Sequence, residues 1–237
     1  MTFATLSIVV PCYNEAATLE TLVGRVMAAE IGGLAREVLI VDDGSKDDSV
    51  AIARRLAERH PEIRSIVHSH NQGKGAALRT GFAQASGDIV LVQDADLEYN
   101  PAEYPRLLKP ILDGRADVVF GSRFRSADEM RILYFWHSMG NKVLTLASNM
   151  LTDMNLTDME TCYKVFTRDV IKRVTIVENR FGFEPEITAK IAKLDPRPRL
   201  YEVGISYSGR TYKEGKKIGW KDGVRALWCI LRYNLGP

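Results

Sequence analysis

The run "DIVLVQDADLE" at residues 88–98 decides how this chain is read: the apolar residues Ile89 to Val92 are followed almost at once by Asp94, Asp96 and Glu98. A short, unbroken apolar run rich in Val and Ile between polar residues is the pattern of a strand buried on both faces. Side chains alternate along an extended chain, so acids spaced two apart point the same way and three carboxylates are expected to share one patch at the strand's end. Four further segments have the same character, "LSIVVP" (6–11), "EVLIVDD" (37–43), "IRSIVH" (63–68) and "ADVVFGS" (116–122). Between them, "EAATLETLVGRVMAAE" (15–30), "KDDSVAIARRLAERH" (46–60) and "GKGAALRTGFAQA" (73–85) carry apolar residues at three-to-four spacing, as amphipathic helices do. Ser45, with Asp48 three residues on, is the expected N-cap of the second helix. Alternating strands and helices predict an α/β fold, a mostly parallel sheet with helices on both faces. Ligands in such sheets bind beyond the carboxyl ends of the strands. Five polar loops, 11–15, 42–45, 71–75, 94–98 and 121–123, each follow a predicted strand and are expected to meet there.

Composition narrows the class. A chain of 237 residues that is 46% hydrophobic buries a substantial core, in one large domain. Its 32 basic and 30 acidic residues leave a net charge of +2, which does not suggest a nucleic-acid binder. Cys12, Cys162 and Cys229 are widely spaced, odd in number and form no CxxC pair, consistent with a reducing compartment, the cytoplasm by default. The start "MTFATLSIVVPCYNE" reads as a first strand rather than a leader, and no run reaches the ~20 apolar residues that span a bilayer.

Clustered carboxylates need a counter-charge, and an oxygen-rich set suits Mg²⁺ or Mn²⁺ with a substrate phosphate completing the shell. Asp94, Asp96 and Glu98 are therefore the candidate metal ligands. Basic partners are present: Lys74 in "NQGKG" stands at a helix start, where amides and the dipole favour anions, and Arg123 follows the fifth strand. The segment "GRTYKEGKK" (209–217) reads as a basic loop able to close over a diphosphate. Other phosphate and catalytic motifs fail. In "GKGAAL" (73–78) Leu78 replaces the third small residue of a dinucleotide fingerprint, and Walker A and G-x-S-x-G patterns are absent.

Beyond residue 124 the rhythm changes. In "RILYFWHSMGNKVLTLASNML" (131–151) the apolar residues fall at 132, 136, 139, 143, 146 and 150, with Ser138, Asn141, Lys142, Thr145 and Asn149 opposite. In "IGWKDGVRALWCILRYNL" (218–235), Trp220, Val224, Leu227 and Leu231 share a face and Lys221, Arg225 and Arg232 another. Two amphipathic helices are expected, their apolar stripes turned to the core, with a membrane surface as the alternative.

The segments "SIVVPCYNE", "VLIVDDGSKDDS", "NQGKGAALRTGF", "DIVLVQDADLE" and "VVFGSRF", in this order, resemble the GT-A (Rossmann-like) domain of family 2 glycosyltransferases, and among them the dolichyl- or polyprenyl-phosphate mannosyltransferase-like branch. The resemblance is strong over residues 5–125, and "TDMETCYKVFTRDV" and "GRTYKEGKKIGW" extend it more weakly. It implies a nucleotide-sugar-binding core at 1–125, and a region at 126–237 that completes the same domain on the acceptor and membrane side. The implied activity is inverting transfer of a hexose from GDP-mannose or a UDP-hexose to polyprenyl phosphate, by a protein peripheral at the cytoplasmic face of a membrane. Pro11, Tyr13, Glu15, Asp42, Asp43, Asn71, Lys74, Asp94, Ala95, Asp96, Arg210 and Lys217 would bind the donor, and Asp96 and Arg123 would serve the reaction. Glu98 stands where relatives often have Gln. An anionic lipid phosphate needs no general base, whereas a soluble sugar, metabolite or protein hydroxyl does. Asp158 and Glu160 are the base candidates, and with Arg131 they form the acceptor set. A nicotinamide-dependent dehydrogenase is the alternative from another class, and oligomeric state is left open.

Overall fold

The computed structural model describes residues 3–125, 132, 134–209 and 220–236, without the side chains of Trp220 and Lys221. Among the described residues seven strands form one sheet in the order β3-β2-β1-β4-β6-β5-β7. The first five are β1 (Thr5–Cys12), β2 (Ala35–Asp42), β3 (Ile63–Val67), β4 (Ile89–Val92) and β5 (Val118–Ser122), matching the five sequence segments. Residues 38–41 and 89–92 are almost wholly inaccessible, as unbroken apolar runs covered on both faces should be. β6 (Lys164–Thr167) runs antiparallel between β4 and β5, and β7 (Leu200–Gly204) is parallel to β5, so the second half of the chain extends the same sheet. Neither strand is apparent in the apolar pattern.

The helices are α1 (Leu19–Ala28), α2 (Ser49–Arg59), α3 (Lys74–Gln84), α4 (Tyr104–Leu112), α5 (Phe135–Thr152), α6 (Arg168–Lys172), α7 (Phe183–Ala192) and α8 (Trp220–Leu235). The path β1-α1-β2-α2-β3 steps outward in one direction, and β3-α3-β4 returns across β1. Right-handed crossovers then put α1 and α2 on one face and α3 on the other. The reversal opens a crevice between the carboxyl ends of β1 and β4, the switch point where ligands of such sheets bind.

Two local expectations are corrected. Asp48, not Ser45, is the N-cap of α2. Ser45 instead donates its backbone N–H and hydroxyl to Asp42 at 2.8 and 2.6 Å while its Oγ accepts the Asn14 N–H at 2.9 Å, tying two loops together. More consequentially, the described residues of the apolar stripes expected to face the core on α5 and α8 are exposed. On α5 the residues facing inward are Asn141, Thr145, Ser148 and Thr152, whereas Trp136 and Met150 are 80% and 76% exposed and Val143 and Leu146 more than half so. The polar face is held by the segment that follows: Asn149 exchanges two hydrogen bonds with the Leu156 backbone, and Thr145 accepts the Met159 N–H. On α8, Ala226, Cys229 and Ile230 are buried while Val224, Leu227, Trp228 and Leu231 are exposed. The two helices pack on each other.

Candidate active site

A cavity of about 850 Å³ occupies the crevice, a size suited to a nucleotide-sized ligand. All five polar loops contribute to its wall, through Pro11, Tyr13, Glu15, Asp43, Asn71, Lys74, Asp94, Ala95, Asp96, Glu98 and Arg123. Arg131, Arg210 and Lys217 lie outside the described residues.

The acids do not crowd together as strand geometry predicts. β4 ends at Val92, so Asp94, Asp96 and Glu98 sit on a loop where period-two alternation no longer applies. That loop is fixed from behind: the Gln93 side chain accepts the hydroxyls of Tyr104 and Tyr163, both at 2.8 Å, and donates to the Asp94 carbonyl. Asp94 faces the Lys74 ammonium at 3.0 Å, Asp96 accepts the Glu98 N–H at 3.1 Å, and Glu98 accepts the Tyr207 hydroxyl at 2.6 Å. Among the described residues no three acidic, His or Cys side chains stand close enough to hold an ion together. Mg²⁺ and Mn²⁺ in phosphate sites are usually held by one or two carboxylates with the substrate phosphates. Asp94 and Asp96, both on the cavity wall, fit that smaller donor set.

The glycine-rich loop also works differently from a phosphate cradle. Asp43 accepts the Gln72 and Gly73 amides at 3.0 and 2.6 Å, the Asn71 amide at 2.8 Å and faces His68 Nδ1 at 2.8 Å. The anion received at the start of α3 is thus the protein's own carboxylate. Four partners occupy Asp43, which also lines the cavity, and Asp42, fully buried and bonded to Ser45, is absent from the cavity wall; both acids shape the loops. Gly73 has φ +109°, a conformation open to glycine, and a side chain there would strike the Asn179 carbonyl and Arg180. The loop over Gly73 and Gly75 therefore packs on residues 178–180.

Arg123 and Asp158 form a buried bidentate pair, Nε and Nη2 each 2.7 Å from a carboxylate oxygen, with the Arg123 backbone N–H also donating to Asp158. The guanidinium lies over the Tyr207 ring at 5.2 Å. The neighbouring carboxylate holds Arg123 as the cation against burial, and its side chain reaches the cavity wall. Asp158, wholly buried and absent from that wall, has both oxygens bonded to Arg123 and anchors it. Glu160 does reach the wall; burial, then the nearby Glu184 carboxylate, pushes its carboxyl up to about 8, so at neutral pH it is mostly protonated.

Sequence reasoning missed Trp136, Asn141, Arg180, Phe181, Glu184 and Tyr207, which complete the wall. These come from α5, from the start of α7 and from loops without strand-end punctuation, so no local motif announces them. Arg180 makes no side-chain hydrogen bond or ion pair among the described residues, a cation presented to the cavity beside Gly73. Gly140, Asn141 and Leu144 of α5 and Gly223 and Ala226 of α8 also line the cavity.

The chain is 30% identical over 213 residues to the undecaprenyl-phosphate 4-deoxy-4-formamido-L-arabinose transferase of Pseudomonas aeruginosa (strain LESB58), across 89% of this chain and 60% of that protein. To the enzyme of the same name from Aeromonas hydrophila subsp. hydrophila it is 29% identical over 214 residues, across 89% and 62%. The chain thus spans about three fifths of the length of these relatives. Among solved structures, glucosyl-3-phosphoglycerate synthase from Mycobacterium tuberculosis, crystallised with Mn²⁺, UDP and glucosyl-3-phosphoglycerate, superposes with a TM-score of 0.74 at 20% identity, covering 99% of this chain and 81% of that one. That likeness establishes a GT-A-like fold. Residues 7–175 match the family described as Glycosyl transferase family 2, and the chain belongs to it.

Proposed function

We propose that this chain transfers a hexose from a GDP- or UDP-sugar to a polyprenyl phosphate at a membrane surface, with inversion at the sugar's anomeric carbon. One observation carries the reading: the cavity lined by Asp94 and Asp96 is also lined by residues of α5 and α8, helices that each present an exposed apolar stripe. A lipid acceptor needs such a route from an apolar surface to the donor. Single exposed apolar residues are ordinary, but two adjacent helices presenting stripes with Trp and Arg side by side mark an interaction surface. On α8 Arg225 and Arg232 both lie over the Trp228 ring, at 4.2 and 4.8 Å; Arg225 is paired with Glu178 at 2.7 Å, and Arg232 is the cation offered to an anionic headgroup. The relatives named for undecaprenyl phosphate support the same acceptor class. No helix among the described residues is long and apolar enough to cross a membrane, so contact would be made along the surface.

In this reading residues 1–125 hold the donor and 126–237 the acceptor and membrane side. Pro11, Tyr13 and Glu15 flank the nucleotide, and Lys74 and Arg180 offer positive charge to the diphosphate. A Mg²⁺ or Mn²⁺ ion held by Asp94 and Asp96 would supply charge that stabilises the departing nucleoside diphosphate. Arg123, kept ionised and immobile by Asp158, presents a fixed cation where the acceptor phosphate approaches the sugar. The acceptor phosphate is already an anion, and the side chains agree with its needing no base: Asp158 is consumed and Glu160 is mostly protonated at neutral pH. The test is incubation with Mn²⁺ or Mg²⁺, undecaprenyl phosphate in mixed micelles and radiolabelled UDP- and GDP-hexoses. Label is expected in the organic phase; label passing only to soluble acceptors would reject the lipid.

A further inference from the structure

Three polar side chains in the cavity wall are left with unmatched atoms. Glu184, in the first turn of α7, is 4% exposed; its Oε1 lies 3.1 Å from Lys74 Nζ, and its Oε2 has no hydrogen-bond partner among the described residues. Asn141, on the inward face of α5, is 8% exposed and its Nδ2 likewise has no partner. Glu160, in the segment before β6, leaves Oε1 unpaired. Burying a polar group without a partner is costly, and each such group in a folded protein calls for a ligand, a water or a functional reason. Here the three come from separate parts of the chain to the wall of one cavity.

Lys74 fixes where Glu184 stands. Its ammonium bridges Asp94 at 3.0 Å and Glu184 at 3.1 Å, so the Glu184 carboxylate is one ammonium away from the acid loop that the proposed function assigns to the diphosphate. The part of a nucleotide-sugar next to its diphosphate is the sugar. The unmatched atoms also suit a sugar better than the other groups at hand. A second anion would meet the Glu184 carboxylate, and an isoprenoid chain would satisfy neither the carboxyl oxygens nor the Asn141 amide. A neutral, polyhydroxylated ring supplies O–H donors to the Glu184 carboxylate, donates to or accepts from the protonated Glu160 carboxyl, and offers an oxygen acceptor to the amide.

We propose that Glu184, Glu160 and Asn141 form the subsite that reads the hydroxyl groups of the transferred sugar and selects neutral sugars over acidic ones. This rests on the nucleotide-sugar reading above. Specificity of this kind is strong because a sugar lacking the matching hydroxyl leaves buried polar groups unpaired, while an acidic sugar adds repulsion.

The test is equilibrium binding to the full chain in MnCl₂, using UDP, GDP, UDP-glucose, UDP-glucuronate and GDP-mannose, for the wild type and for Glu184→Gln, Glu160→Gln and Asn141→Ala. The readout is the ratio of sugar-nucleotide affinity to the affinity for the matching nucleoside diphosphate. For the preferred neutral sugar that ratio is expected to fall about tenfold or more in Glu184→Gln and Asn141→Ala, with nucleoside diphosphate affinity kept within about twofold. UDP-glucuronate is expected to bind the wild type worse than UDP-glucose, and Glu184→Gln to narrow that gap. Ratios unchanged in both Glu184→Gln and Asn141→Ala, or equal weakening of UDP or GDP itself, would overturn the subsite while leaving the donor reading intact. Failure of the wild type to bind any of the five probes would instead overturn the donor reading and this proposal with it. Glu160→Gln, which leaves the Lys74 bridge untouched, gives an independent result should Glu184→Gln fold poorly.

Discussion

Asp158→Ala separates an anchoring role from a catalytic one at the most heavily bonded ion pair of the site. Wild-type Arg123 makes three hydrogen bonds to Asp158, two from the guanidinium at 2.7 Å and one from its backbone at 3.0 Å. The two side chains are 6% and 0% exposed, so water cannot replace the lost carboxylate. Removing one partner of a buried pair leaves the other charge uncompensated and typically costs about 3–5 kcal/mol. A domain's whole stability is about 5–15 kcal/mol, so the variant should be severely weakened. In urea, with a denaturant slope near the upper end of roughly 1–3 kcal/mol per molar, the unfolding midpoint should drop by about 1–2 M. The double variant Arg123→Met with Asp158→Ala removes both charges and should recover a large part of that loss. Tryptophan fluorescence across a urea titration gives both midpoints and slopes. If Asp158→Ala unfolds within about 0.3 M of the wild type at the same slope, the pair does not anchor the site. A stable Asp158→Asn protein that binds donor but has no turnover would restore the general base set aside above.

Three further outcomes are expected. Gly73→Ala places a side chain at φ +109° against the Asn179 carbonyl and Arg180, and should lower stability by roughly 2 kcal/mol or more in thermal unfolding; an unchanged midpoint would contradict the packing of residues 178–180 on this loop. The Glu160 carboxyl is raised from 4.5 to about 8, so between those values the folded protein keeps a proton that the unfolded chain has released. Its contribution to stability is therefore lost as pH rises through that window, and Glu160→Gln should gain on the wild type by up to roughly 1.4 kcal/mol per pH unit there; parallel stability curves from pH 5 to 8 would refute it. Replacing Val143 and Leu227 with Ser should cut co-sedimentation with anionic vesicles at least tenfold or so per residue without changing the fold, and unaltered sedimentation would remove α5 and α8 as the membrane-facing surface.

The first half of the chain was legible because its parallel strands are buried on both faces, and such strands must be unbroken apolar runs: residues 38–41 and 89–92 need no tertiary information to be recognised. β6 escaped notice because it has only four residues and opens on Lys164, a buried lysine whose ammonium is satisfied by the carbonyls of Met159 and Thr161. α7 escaped because Glu184, Glu186 and Thr188 are buried in it, which blurs the amphipathic pattern. The acids show a second limit. Residue type reveals that Asp43, Asp94 and Asp158 are carboxylates, but only the fold reveals that Asp43 is spent on four local partners and Asp158 on one arginine. The third limit is the most instructive for function. Periodicity correctly groups Trp136, Met139, Val143, Leu146 and Met150 on one face of α5, yet hydropathy says which residues share a face and not what that face meets. A core-facing helix and a membrane-facing helix have the same periodicity. What distinguishes them here is the opposite face, where Asn141, Thr145 and Asn149 have specific work, walling the cavity and binding the backbone of residues 156–159. A helix whose polar side is committed to the cavity wall has only its apolar side left for the surroundings, so in the proposed reading the same element that shapes the site also forms the surface through which a lipid would reach it.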